Sequence, residues 1–136
     1  MIVGLGIDVV EVARIARLLE GPAGERFRAR VFTEGEIAFC DRVRDRATRY
    51  AARFAAKEAA SKALGVPEGI RFLDVEVVRG EGAPRLALAG VAEQAARTLG
   101  ADRVHLTLTH DAGVARIASR SVQIRDGEIV EDRRAA

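Results

Sequence analysis

Lys57 and Lys62 are the only lysines in a chain of 136 residues whose 22 basic side chains are otherwise arginines. They stand in "RYAARFAAKEAASKALG", residues 49–65, on either side of Glu58. The chain is rich in Ala, Arg and Gly, a coding bias that converts exposed lysines to arginine where nothing resists. A solvated ion pair does not resist. A site that needs a compact ammonium with three rotatable donors, rather than a planar fork, does. At least one of the two lysines is therefore expected to do something arginine cannot. Phe54, Glu58 and Lys62 follow one another at i, i+4, i+8 on one helix face, so a surface Glu58–Lys62 pair worth about 0.3–0.5 kcal/mol is the competing reading. Lys57 falls on a different face, where it is expected to anchor a neighbouring loop or subunit.

Asp8 and His110 are the other positions with chemical promise. Asp8 closes an apolar strand and precedes Glu11 by three residues, the spacing of a helix cap. A carboxylate so placed also suits a hard cation such as Mg²⁺, which takes one or two carboxylates plus phosphate oxygens and water. With two oxygens, Asp8 can do both. His110 ends the strand "VHLTLTH" in the register of Val104, Leu106 and Leu108, which directs it toward the apolar side. It reads either as a core-edge histidine bonded to backbone or, beside the Thr109 hydroxyl, as a phosphate donor or general base.

The elements that must hold these residues follow from periodicity. "MIVGLGID" is expected as a strand ending at Asp8. "VVEVARIARLLEG" follows as a helix with Val9, Val12, Ile15, Ala16 and Leu19 on one face, stopped by Gly21-Pro22. Thr33 and Glu36 form a capping-box pair opening "TEGEIAFCDRVRD". A longer helix runs from a cap near Thr48 to Gly65, and its Ala52, Ala56, Ala59, Ala60 and Ala63 make a flat face for close packing. "LDVEVVRG" and "PRLALAG" are strands around "GEGAP", and "VAEQAARTLG" is a helix. Hairpins are expected around Asp111-Ala112-Gly113 and around Asp126-Gly127. Helices and antiparallel hairpins without a βαβ rhythm indicate a single α+β domain.

Composition excludes some functions. The 20 acidic residues nearly balance the 22 basic ones, and aromatic residues make up only 4%, a poor footprint for nucleic acid. A local basic face toward an acidic partner stays open through Arg14 and through Arg26 and Arg28 in "ERFRARVF", whereas Arg17 and Arg30 read as solvated surface arginines. No apolar run reaches membrane-helix length, and "MIVGLGIDVVEVARI" lacks the basic start and cleavage site of a signal peptide. Cys40 is the only cysteine, so a cytoplasmic setting is expected.

Four stretches, "GLGIDVVEVARI" (4–15), "FAAKEAASKALG" (54–65), "GEGAPRLAL" (80–88) and "LTLTHDAGVARI" (106–117), resemble in order and spacing the bacterial holo-acyl-carrier-protein synthases of the 4′-phosphopantetheinyl transferase superfamily. The most specific parts are Gly6, Asp8 and Arg14 in G-x-D-x-x-x-x-x-R, and Phe54 to Gly65. Thr109 stands where many members have Ser. The resemblance covers residues 1–120 and implies a transferase domain there, with 121–136 a C-terminal hairpin extension and tail of that domain. It implies transfer of phosphopantetheine from coenzyme A to a serine of an acidic apo acyl carrier protein, in support of fatty acid biosynthesis. Asp8 and Glu58 would hold Mg²⁺, and Lys62 would meet the coenzyme A phosphates. Arg53, Gly82, Pro84, Thr109 and His110 would line the coenzyme A site. Glu58 or His110 would take the serine proton, Arg14 would meet the carrier protein, and the assembly would be a homotrimer with sites between subunits.

Overall fold

A computed structural model describes residues 1–111 and 116–125, with side chains described through residue 110. Strand β1 (Ile2–Glu11) leads into helix α1 (Val12–Glu20). Helices α2 (Gly24–Val31), α3 (Glu34–Asp41) and α4 (Arg46–Ala63) follow. A 3₁₀ turn over Phe72–Asp74 introduces the antiparallel pair β2 (Val75–Val78) and β3 (Arg85–Leu88). Helix α5 (Gly90–Thr98) leads to β4 (Arg103–Asp111) and β5 (Arg116–Arg125). The larger sheet has the order β1-β5-β4, antiparallel throughout. The α+β expectation holds.

Helix α4 is the wall shared by two cores. On one side Ala56, Ala59, Ala60, Ala63 and Leu64 pack with Val75, Val77, Ala92, Ala96 and Leu106. On the other, Tyr50, Ala51, Ala52 and Ala55 pack with Val10, Ile15, Leu19, Val31, Phe32 and Cys40. The alanine face expected from sequence lets β1 lie directly on the helix. A Cβ on Gly6 would overlap the carbonyl oxygen of Ala59, and one on Gly4 would overlap that of Ala63. Two residues of strand advance ~6.7 Å and one helical turn ~5.4 Å, so alternate strand positions meet successive turns.

The boundary between β1 and α1 differs from expectation. The strand continues through Val9 and Val10 to Glu11, and Glu11 rather than Asp8 occupies the N-cap position, without a side-chain cap bond. Val-Val-Glu-Val satisfies both a strand and the first turn of a helix, and pairing with β5 decides for the strand. Val9 therefore faces outward, while Ile15 and Leu19 are buried as expected. The Thr33–Glu36 capping box is present in both directions. Helix α4 begins after Asp45, whose side chain accepts from the Thr48 N–H, and Gly65 takes the left-handed conformation just beyond its end. The first expected hairpin exists as paired β4 and β5, with its turn at 112–115 outside the described residues. The second, around Asp126-Gly127, also lies outside them, whereas Val122 to Arg125 continue β5.

The β1–α4 contact makes a sharp prediction. Gly6→Ala must push strand and helix apart and is expected to cost about 2–3 kcal/mol. Gly80→Ala, whose added carbon meets only the end of Arg85 at ordinary contact distance, serves as the near-neutral control. Denaturant midpoints of the two variants check this.

Candidate active site

Asp8 follows Gly6 on the inward face of β1, and its side chain is only 15% exposed. Lys62, in the last turn of α4 and 46% exposed, brings its ammonium 2.8 Å from Asp8 Oδ1. The same Nζ donates to the Ile7 carbonyl at 3.2 Å. The helix thus does not form the Glu58–Lys62 surface pair that its spacing permits. Lys62 finds two acceptors across on the strand instead of one on its own helix. Glu58, partly buried one turn earlier, makes no hydrogen bond or ion pair with another described residue. It lines a cavity of about 100 Å³ with Lys57, Ser61, Ile70, Arg71, Phe72 and Val75.

Lys57 is the buried lysine. Its Nζ pairs with Glu36 Oε2 at 2.8 Å and donates to the carbonyls of Phe72, at 2.9 Å, and Val75. Three donors meet three acceptors around one nitrogen, which a planar guanidinium cannot reproduce. Glu36 is equally committed. It accepts from the Thr33 N–H at 2.9 Å within the capping box and from the Val77 N–H at 2.8 Å. Burial holds the Lys57 ammonium below its ordinary range, opposed by the Glu36 carboxylate. The anchoring expected of Lys57 is present, and it secures the wall of the cavity that Glu58 lines.

Arg53 is buried beneath the Phe39 ring, its guanidinium carbon 4.2 Å from the ring centroid. Arg79 lies over the same ring at 5.5 Å. Arg53 donates to the Arg49 carbonyl at 3.5 Å, and the Nε atoms of both Arg49 and Arg53 are buried without a described partner. Burial also lowers the Arg53 pKa. Local sequence pattern does not mark Arg49 and Arg79 as functional. The only available signal was that Arg49 precedes Arg53 by one helical turn. Cys40 packs nearby, and burial pushes its thiol up to about 11, so it stays protonated and inert at neutral pH.

The remaining expected site residues stand on other elements. Gly82, at φ +115°, and Pro84 form the turn between β2 and β3. Thr109 and His110 are exposed at the end of β4. The apolar direction expected for His110 is corrected here: alternation holds through Leu106 and Leu108, and the strand then runs past the core. No hydrogen bond or ion pair among the described residues joins these four to Asp8, Glu58 or Lys62. Arg14 is exposed on α1, whereas Arg28, at 3.3 Å from Asp41, is drawn into a pair within the fold.

The model of the 4′-phosphopantetheinyl transferase superfamily matches residues 4–115, from the glycines of β1 to the end of the β4 region. The chain belongs to that superfamily. It is an enzyme, a transferase. A holo-[acyl-carrier-protein] synthase from Anaeromyxobacter sp. (strain K) is 71% identical over 117 residues, covering 85% of this chain and 91% of the relative. One from Myxococcus xanthus (strain DK1622) is 54% identical over 112 residues, covering 82% and 88%. Among solved structures, the Neisseria meningitidis holo-[acyl-carrier-protein] synthase superposes with a TM-score of 0.77 at 28% identity, over 92% of this chain and 100% of that one. The Helicobacter pylori holo-[acyl-carrier-protein] synthase in complex with coenzyme A gives 0.73 at 30% identity, over 88% and 98%.

Stability should separate the two lysines of this transferase. Lys57→Met strands the Glu36 carboxylate and is expected to cost about 3–5 kcal/mol. Lys57→Arg should fall nearly as far, because the third acceptor cannot be met. Lys62→Arg, at the half-exposed rim, should melt close to the parent. Thermal unfolding of the three variants checks the order.

Proposed function

We propose that this enzyme moves the 4′-phosphopantetheine arm of coenzyme A onto a serine hydroxyl of apo acyl carrier protein, in support of fatty acid biosynthesis. The serine oxygen forms a bond to phosphorus, the bond to the departing adenosine 3′,5′-bisphosphate breaks, and the serine proton passes to a base. The observation that carries the site is the Asp8–Lys62 pair one turn from Glu58, which has no hydrogen bond or ion pair among the described residues. Two carboxylates from neighbouring elements, with Asp8 Oδ2 accepting from no described residue, are the open, hard-oxygen donor set that Mg²⁺ favours. Bound there, Mg²⁺ would polarise the phosphoryl group and offset charge on the leaving phosphate.

The protein's own groups do the rest. Lys62 supplies a point charge to the diphosphate. Arg53, nine residues earlier and so ~13 Å along α4, receives a separate anionic part of coenzyme A, with Arg49 and Arg79 adding charge around Phe39. Gly82 and Pro84 form a small turn over which adenine lies, and Thr109 and His110 line the same site. Glu58 and His110 are the groups available to take the serine proton.

Assembly as a homotrimer, with sites completed between subunits, is supported by the outer face of β1. Leu5, Ile7 and Val9 are each more than half exposed there and form one apolar stripe. The acidic carrier docks on Arg14. The setting is the cytoplasm; no helix among the described residues is long and apolar enough to cross a membrane.

Coenzyme A, Mg²⁺ and apo carrier protein, followed by mass spectrometry, test the reaction directly. Asp8→Asn and Glu58→Gln are each expected to abolish added phosphopantetheine with little change in melting temperature. Full activity of Asp8→Asn would sink the metal assignment. Lys62→Arg should lower the rate ~100-fold, as small displacements of a reacting group do. Arg14→Ala should raise the KM for carrier protein several-fold and leave that for coenzyme A unchanged. Added salt should reproduce its effect, since exposed charges are screened over ~10 Å at 0.1 M; equal losses for both substrates would contradict a docking role.

A further inference from the structure

We infer that Lys62 is the resident counter-ion of Asp8 in the free protein, so that a divalent cation and the phosphates of coenzyme A load together rather than independently. This rests on the reading of Asp8 and Glu58 as cation ligands. The ammonium at 2.8 Å from Oδ1 neutralises the carboxylate and sets its positive charge beside the second oxygen, where an incoming cation would bind. A second bond, to the Ile7 carbonyl at 3.2 Å, seats it there. Asp8 is poorly placed to move aside: it is mostly covered, it lies on a strand paired to β5, and its inward neighbour Gly6 rests on the Ala59 carbonyl. Lys62 is the mobile partner, with nearly half its side chain in solvent on a flexible four-carbon stem.

The energetic consequence is a shared penalty. A cation binding alone puts two positive charges on one mostly covered carboxylate and so drives Lys62 from Asp8. A diphosphate binding alone must draw Lys62 away from Asp8. When both bind, the pair is broken once, and the displaced ammonium has phosphate oxygens to receive it. Each ligand therefore strengthens the other by the free energy of the Asp8–Lys62 pair, and the effect is reciprocal. This differs from simple repulsion between lysine and metal, which would weaken cation binding to the same degree with and without the phosphates.

Mn²⁺, a hard cation with an affinity for carboxylate oxygen and a paramagnetic signal, reports this without turnover. The full-length protein and Lys62→Met are titrated with Mn²⁺, free and with saturating coenzyme A, and unbound Mn²⁺ is counted by electron paramagnetic resonance. Lys62→Met should bind Mn²⁺ about fivefold more tightly than the parent when coenzyme A is absent, a factor in the range of exposed pairs and ligand couplings. The enhancement of Mn²⁺ binding by coenzyme A should shrink by the same factor in the variant. Equal Mn²⁺ affinities overturn the inference, and so does a tightening that coenzyme A leaves unchanged. Failure of the parent to bind Mn²⁺ even with coenzyme A overturns the underlying reading of Asp8 and Glu58. Melting curves confirm that the variant is folded, and Lys62→Gln, which keeps a polar end without the charge, must repeat the result.

Discussion

Everything at the candidate site depends on how closely β1 lies on α4. Backbone meets backbone at Gly4 with Ala63 and at Gly6 with Ala59, a separation that no side chain on the strand would allow. Because positions 4 and 6 contribute no side chain to the inward face, Asp8 is the first residue there that can reach past the helix backbone. Its carboxylate meets Lys62 as a result of this approach. A larger residue at position 6 would tilt the strand and carry Asp8 with it. The glycine of the G-x-D motif therefore acts on the candidate site by setting how closely Asp8 stands to the helix.

A second constraint fixes what lies across from Glu58. Burying the Lys57 ammonium and the Glu36 carboxylate costs several kcal/mol for each ion before their attraction is counted. The structure offsets that by committing their hydrogen-bonding capacity to specific partners. Three backbone segments converge on the pair: the start of α3 through the Thr33 N–H, the 3₁₀ turn and strand β2 through the Phe72 and Val75 carbonyls, and β2 again through the Val77 N–H. The stacked rings of Phe54 and Phe72, 5.4 Å apart, reinforce the same junction. One side of the Glu58 cavity is thereby fixed to α4 itself.

Local chemistry in the sequence was legible wherever neighbours in the chain decide the outcome. The Thr33–Glu36 box, Gly65 at the end of α4 and the strands flanking the Gly82 turn are of this kind. Failures came where distant partners decide. Asp8 and Glu11 carry the spacing of a cap, yet pairing with β5 holds Asp8 within the strand. Glu58 and Lys62 carry the spacing of a helix pair, yet the strand offers Lys62 better acceptors. The scarcity of lysine singled out both positions but could not rank them, because the partner of the buried Lys57, Glu36, lies far away in sequence. The buried setting of Arg53 and its association with Arg79 likewise depend on Phe39, which no local pattern links to either.

The position of α4 between two cores also sets how the protein breathes. Amide groups along its buried face belong to both cores at once, so neither core can open locally without disturbing the helix. Hydrogen exchange in α4 should then follow global unfolding. The β2–β3 pair forms a sheet of only two strands, joined by the exposed Gly82 turn, and its hairpin tip can open on its own. The transferase thus joins a stiff end, carrying Asp8, Glu58 and Lys62, to a yielding one at Gly82 and Pro84, and opening of that turn need not disturb the carboxylates.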